Sequence, residues 1–464
     1  MAGLLTSSRR RGEPFDLAVG GVVLLLLLLV GLLLWRGDQV GLRVTSTLPP
    51  AGATAVPGGS GIRLTFAETV DRDSVPDVTI TPAVRVSRRW EGDTLVLTPW
   101  VPLQPETSYT VTLPRGAVSR QGRVMNRTLR WSFTTRAPQI VFISWDDENR
   151  DQLTVADQDG ANARRLTDEP YGLIDFAPSP DGTRIAYAAL RADGGADLWQ
   201  VPAGGGTPRL LLDCAAAIPG ASCNTPLWQP GSNRLLYERR NFLQEGAPPG
   251  PPRLYWLDVT SGATAPVFED TQWLSLGASF SPDGRWLSYI SPQETGVRIF
   301  NLDSGENLFF ATPTGQQAWW SPAGDRVVLT DMQLRENGFA MHLFAVELAT
   351  GQYRDLSGNL DVEDGPPAWS PVDGTIAFGR KASRTAMGKQ IWLISPDGSE
   401  NWQLTQDANV HHGALSWHPD GRTLLFQRYE ITTPGAVPQI WVLDVDSGDS
   451  RMIAPEGLLP AWLP

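Results

Sequence analysis

From Pro138 to the C-terminus the chain alternates short apolar strips with tight polar turns, and one phrase keeps returning. "FSPDGRWLSYIS" from Phe280 has near-copies in "APSPDGTRIAYAA" from Ala177, "WQPGSNRLLYERR" from Trp228, "WWSPAGDRVVLTD" from Trp319, "WSPVDGTIAFGR" from Trp369 and "WHPDGRTLLFQR" from Trp417. In such a turn Pro presets φ at the first corner, Asp caps it and Gly takes the left-handed position. An apolar strand such as "RIAYAA" follows, then a second strand, a Gly turn and a third, as in "VRIFNLDSGENLFF" and "QIWVLDVDSGDSRMI". With the strand ahead of the turn, each unit holds four strands in about 45 residues, the period of a propeller blade. The aromatic repeated before the turn is read as packing between blades.

Six complete units carry a proline, at Pro180, Pro230, Pro282, Pro322, Pro371 and Pro419. A seventh is split. "QIVFISW" from Gln139 and "QLTVADQDGANARRLT" from Gln152 supply three strands with no inner strand before them, while the C-terminal "LLPAWLP" matches the inner-strand register. The last strand is therefore expected to complete the first blade and close the ring without a free edge. The fold class is all-β: a seven-bladed β-propeller closed by the C-terminal strand, or six or eight blades if an insert hides or mimics one.

Residues 36–137 alternate differently and lack the turn phrase. "GIRLTFAETV", "DTLVLTPW", "TSYTVTL" and "LRWSFTTR" are apolar at every second position and punctuated by Pro, Gly or Asp. Seven or so short strands in about a hundred residues fit a β-sandwich. Before it, "RRR" at Arg9–Arg11 precedes the uncharged run Leu17–Trp35, about long enough to span a bilayer as a helix. The positive charges put residues 1–16 in the cytoplasm and the bulk outside, with Trp35 at the outer interface. The run is long for a signal peptide and "WRGDQVG" offers no small-residue cleavage site, so a retained single-pass transmembrane anchor in the cytoplasmic membrane is expected. The expected domains are the tail 1–16, the anchor 17–35, the sandwich 36–137 and the propeller 138–464.

Two resemblances follow from these motifs. The segment carrying "TLPPAGATAV", "LTFAETVDRDSV", "LTPWVPLQPETSYTVTL" and "FTT" resembles the bacterial Ig-like domain of S-layer and other envelope proteins. It departs from that pattern at "SRQGRV" from Ser119. The resemblance implies a spacer or adhesive module, and a stalk is the preferred reading. The "WSPDG-x-x-IAF" repeats resemble the TolB-like (WD40-like) propellers, in which the repeat accompanies periplasmic protein interaction, peptidase regulatory domains and a few lyases. The repeat serves folding, so the resemblance speaks to fold more than to activity.

Composition narrows the chemistry. A formal charge of −12 argues against nucleic acid as a partner, since a phosphate backbone needs a basic patch. The two cysteines, Cys214 and Cys223 in "CAAAIPGASC", suit a small disulfide loop outside the cytoplasm; two free thiols are the alternative. There is no G-x-S-x-G elbow, H-E-x-x-H or C-x-x-C motif, and "DVDSGD" and "DQDG" read as hairpin turns, so no catalytic residue, metal or cofactor is assigned. Of the four histidines, His418 replaces Ser in a turn, His342 begins a strand, and His411 and His412 adjoin in a loop leading to an inner strand.

Strand parity supplies the binding candidates. The SPDG and "DSG" turns share one face of the disc and are short. The long excursions share the other: those from Asn241, Asp331, Arg380 and Tyr429, with the cysteine and histidine loops. Long loops on a rigid scaffold are where binding usually lives. The chain's two lysines, Lys381 and Lys389, both fall in one of them. His411, His412, Lys381, Lys389 and Arg335 are the candidate binding residues; an ordinary solvated loop is the alternative. The expected function is a membrane-anchored scaffold of the bacterial cell envelope whose head engages an envelope protein, peptide or glycan. The alternative is a carbohydrate-active lyase or hydrolase with His411 or His412 as base at the long-loop mouth, which would require convergent carboxylates or Arg.

Overall fold

The computed structural model describes residues 14–37, 41–241, 250–270, 273–335, 338–358, 360–383 and 385–464. The apolar run forms a helix, Pro14–Gly37, of 24 residues, and its described side chains, at 18–32, are all exposed. Over the described residues alone, no helix is long and apolar enough to cross a membrane. Residues 1–13 of the expected cytoplasmic tail and the Trp35 side chain lie outside the described residues, as does most of the loop after Asn241.

The next segment is an Ig-like sandwich. One sheet orders Val44–Leu48, Ile62–Phe66, Thr94–Pro99 and Val86–Glu91; the other orders Thr79–Thr81, Ser108–Leu113 and Leu129–Thr134. The alternation read in the sequence is the alternation of burial. Ile62, Leu64, Val111, Leu113 and Phe133 turn inward to one core, and their neighbours face out.

Residues 139–463 form a propeller of antiparallel four-stranded sheets. The sheets spanning 173–212, 221–266, 276–311 and 410–454 are each built from consecutive strands. An eight-stranded sheet, 318–403, consists of two four-stranded runs joined by one parallel bridge, Met341↔Glu363. Middle strands such as Arg184–Leu190 are buried on both faces because a neighbouring sheet covers each, which is why they read as continuous apolar runs. The split sheet closes as expected. Leu458–Leu463 pairs antiparallel with Gln139–Trp145, with Trp462 opposite Ile140.

The turn chemistry is explicit at Ser281–Trp286. The Ser281 hydroxyl donates to Asp283 at 2.5 Å, Asp283 accepts from the Arg285 amide at 3.1 Å, and Gly284 sits at φ 71°. The repeated aromatic ties sheet to sheet through the indole N–H. Trp228 donates to Ala177 O (3.1 Å), Trp369 to Trp319 O (3.0 Å) and Trp417 to Ala368 O (3.0 Å), each a carbonyl on the preceding inner strand.

The Ig-like domain is seated directly on the short-turn face. Gln104 Nε2 donates to Pro419 O at 2.6 Å, and Arg136 Nη2 donates to Pro464 O at 2.9 Å. Gly59 lies so close to the turn at Pro180 that a Cβ would stand 1.4 Å from the Pro180 carbonyl oxygen, so only glycine fits there. The face that looked plain in the sequence is thus largely occupied by the neighbouring domain. The long-loop face lies at the other end of the ring.

Candidate binding face

Two of the expected loop positions are strand instead. His411 and His412 belong to the inner strand Val410–Trp417, and the excursion from Asp331 is a hairpin of two ten-residue strands, Arg326–Arg335 and Gly338–Glu347. The polar tips hid a ladder that simply continues past the disc surface. His342, expected to begin a strand, sits inside the second of these and is fully buried. Lys381 ends the strand Ile376–Lys381 and Lys389 immediately precedes Gln390–Ile394, so these two do flank a loop.

Four of the five candidates converge across two neighbouring sheets. The Lys389 amide donates to His411 Nδ1 at 3.3 Å, and Lys389 O accepts from the His412 amide at 2.9 Å and lies 3.2 Å from His412 Nδ1. Accepting at Nδ1 leaves the neutral His411 ring with its proton on Nε2. Burial lowers the pKa of His411, and the charges of Lys389 and Lys381 lower it further. Burial likewise takes His412 down to about 4, against its bond to the Lys389 carbonyl and helped by Arg428 and His411. His412 packs on Phe426, ring centroids 5.4 Å apart. It is a core residue at the lip, whereas His411 is half-exposed.

Lys381 Nζ pairs with Glu363 at 3.1 Å. Lys389 has its pKa lowered by burial, an effect that Glu363 and Asp364 oppose. Its Nζ lies 3.0 Å from where a Cβ on Gly365 would be, over the inner strand Glu363–Trp369. Arg335 belongs to a separate network on the adjacent hairpin. Its Nη2 is 3.4 Å from His342 Nε2, while His342 bonds Asp355 (2.9 Å) and Leu360 O (2.8 Å). Burial opposes a charge on His342, but these two acceptors outweigh it and raise its pKa.

Sequence reasoning missed the groups beneath this face. Arg380 is 2% exposed and forks onto the buried Asp364, Nε–Oδ1 2.5 Å and Nη2–Oδ2 2.8 Å, and Asp364 also accepts from Ser357. The signal was the adjacent pair Arg380–Lys381 opposite Glu363–Asp364. With a period of two, one cation must point inward and one outward, and so must one carboxylate. On the far side of the ring Asp175 is pushed up to about 6 by burial and, to a lesser degree, by the charge of Glu238. Cys214 and Cys223 are joined in a disulfide that ties a short helix, Cys214–Ala217, to the inner strand Ala221–Trp228. Among the described residues no three His, Cys, Asp or Glu side chains gather as a metal site would require.

Comparison with known proteins agrees with this architecture. Residues 38–135 match the bacterial Ig-like domain. An uncharacterized protein of Agrobacterium fabrum is 26% identical over 217 residues, covering 44% of this chain and 69% of that protein. A TolB homolog of Chlorobium chlorochromatii is 31% identical over 153 residues, covering 33% of this chain and 31% of the homolog. Among solved structures, a puromycin hydrolase superposes with a TM-score of 0.54 at 19% identity, over 69% of this chain and 52% of that one. The chain therefore spans about half of that hydrolase and a third of the TolB homolog, and the likeness to the hydrolase is one of fold.

Proposed function

We propose that the chain is a membrane-anchored, extracytoplasmic binding or scaffolding protein of the bacterial envelope. Its head is a seven-bladed propeller, the eight-stranded sheet counting as two blades, and it engages a protein, peptide or glycan partner on the long-loop face. The observation that carries this reading is the convergence of Lys381, Lys389 and His411, from two adjacent sheets, at the end of the ring that the Ig-like domain leaves uncovered. Exposed apolar side chains at the same end support it, with Leu334 79% and Met387 58% exposed. The uncharged run Leu17–Trp35 within the N-terminal helix supports a single-pass anchor in the cytoplasmic membrane, N-terminus inside, with the Ig-like domain as a short stalk fixed to the head.

The lyase or hydrolase reading is less favoured. The His412 ring is occupied by Lys389 O and Phe426, and the charges that bear most on His411 are the two lysines, not a carboxylate that would make it a base. The test is capture from envelope extracts by the head and by a Lys381→Ala/Lys389→Ala/His411→Ala variant. The expected result is a loss of captured partner from the variant at unchanged melting temperature. Equal capture by both would contradict the reading. Protease added to spheroplasts should digest the propeller and spare the N-terminal tail; release of a shortened soluble form would contradict the anchor.

A further inference from the structure

The seam between the two domains holds a cleft of about 560 Å³, within the range of small-molecule sites, which favour domain boundaries. The Ig-like domain contributes Arg85, Trp100 and Leu103, and the propeller contributes the turns at Pro322 and Pro371 together with Trp369.

These two turns differ from three of their siblings in one respect. The third turn position is Asp in Asp181, Asp283 and Asp420, where the carboxylate caps its own turn. In the two turns that line the cleft it is Ala323 and Val372, and Val372 is 59% exposed. The carboxylate is displaced along the turn, to Asp325 and Asp373, and an apolar group stands beside the proline where the cleft lies. Both tryptophans have their indole N–H satisfied elsewhere, Trp100 by Ser87 Oγ and Trp369 by Trp319 O, each at 3.0 Å. Their rings therefore offer apolar surface to the cleft.

The polar groups at the rim are unequal. The carboxylates are engaged locally: Asp325 accepts from Ser321 Oγ at 2.9 Å and Asp373 from the Thr375 amide at 3.0 Å. The guanidinium groups of Arg85 and Arg326 have no carboxylate partner among the described residues; Arg85 lies over the Trp100 ring, 5.8 Å from its centroid. An apolar floor with two unpaired guanidinium groups at its edge is complementary to one ligand chemistry.

We propose that this interdomain cleft binds a small amphiphile, an aromatic or aliphatic body bearing one anionic group, with the body between Trp100, Trp369 and Val372 and the anion at Arg85 and Arg326. This site is on the opposite end of the ring from the proposed partner face and does not depend on it.

The probe is naphthalenesulfonate, with naphthalenemethanol as its uncharged counterpart, titrated against the extracytoplasmic portion by calorimetry and tryptophan fluorescence. Saturable binding of the sulfonate, about tenfold tighter than the alcohol, is expected. An Ala323→Asp/Val372→Asp variant, shown by its melting temperature to fold, places after each proline the residue that three sibling turns carry there, and it should weaken sulfonate binding about tenfold or more. Arg85→Ala/Arg326→Ala should weaken the sulfonate but leave the alcohol unchanged. No saturable binding by the parent, or equal sulfonate binding by the folded Asp variant, would overturn the proposal.

Discussion

Trp462, two residues before the last residue of the sequence, donates its indole N–H to the carbonyl of Ser416 at 3.3 Å. The same bond joins Trp417 to Ala368 and Trp369 to Trp319, so the last strand ties into the ring as the complete units do, although its sheet partner lies more than three hundred residues earlier. Removing residues 458–464 should expose the backbone edge of Gln139–Trp145 and delete the buried Leu463. A loss on the order of 3–5 kcal/mol is expected in urea denaturation, with concentration-dependent association seen by light scattering. A truncated head that melts and stays monomeric like the parent would contradict ring closure by this strand.

The Arg380–Asp364 pair makes a second prediction. Arg380→Met alone leaves a carboxylate buried without its cation and should cost about 3–5 kcal/mol. Replacing both, with Asp364→Leu, should recover much of that loss, because two apolar groups leave no charge uncompensated. A single variant as stable as the parent would mean that the pair is open to water.

His412 predicts a pH dependence whose sign can be worked out. In the unfolded chain the ring takes a proton at its ordinary pKa of 6.5, but in the fold it resists until about 4. Between those values the unfolded state binds more protons, so stability present above pH 6.5 is lost as the pH falls toward 4, by up to about 3 kcal/mol. Asp175, raised to about 6, acts in the opposite sense over part of this window. The measurement is therefore the difference between the stability–pH curves of the parent and His412→Gln, which should slope only in that window. Parallel curves would place the His412 ring in water.

Much of the fold was legible because the repeat is a statement about turns. Pro followed within three residues by Gly, in five of the six turns with Asp, dictates a hairpin whatever surrounds it, and the unmatched "LLPAWLP" had one unpaired partner to find. The site was less legible. His411–His412 resembled a loop because Gly413 and Ala414 interrupt the alternation, and the structure resolves that interruption as a bulge between Gly413 and Ser416, with Ala414 at φ 49°. The extra length of the hairpin at Leu334 and Phe339 was hidden by its polar tip. The seating of the Ig-like domain had no sequence signal beyond Gly59 and the apolar Ala323 and Val372, because contacts between separately folded units leave no periodicity.

Partners are proposed to meet the long-loop end of the ring and not the Ig-like domain. A photo-reactive benzoylphenylalanine placed at His411, and separately at Arg120 on the Ig-like domain, followed by irradiation of intact cells, tests it most directly. Residue 411 is expected to give discrete high-mass adducts and residue 120 to give none. Adducts from residue 120 with none from residue 411 would contradict the account and move the binding surface to the Ig-like domain.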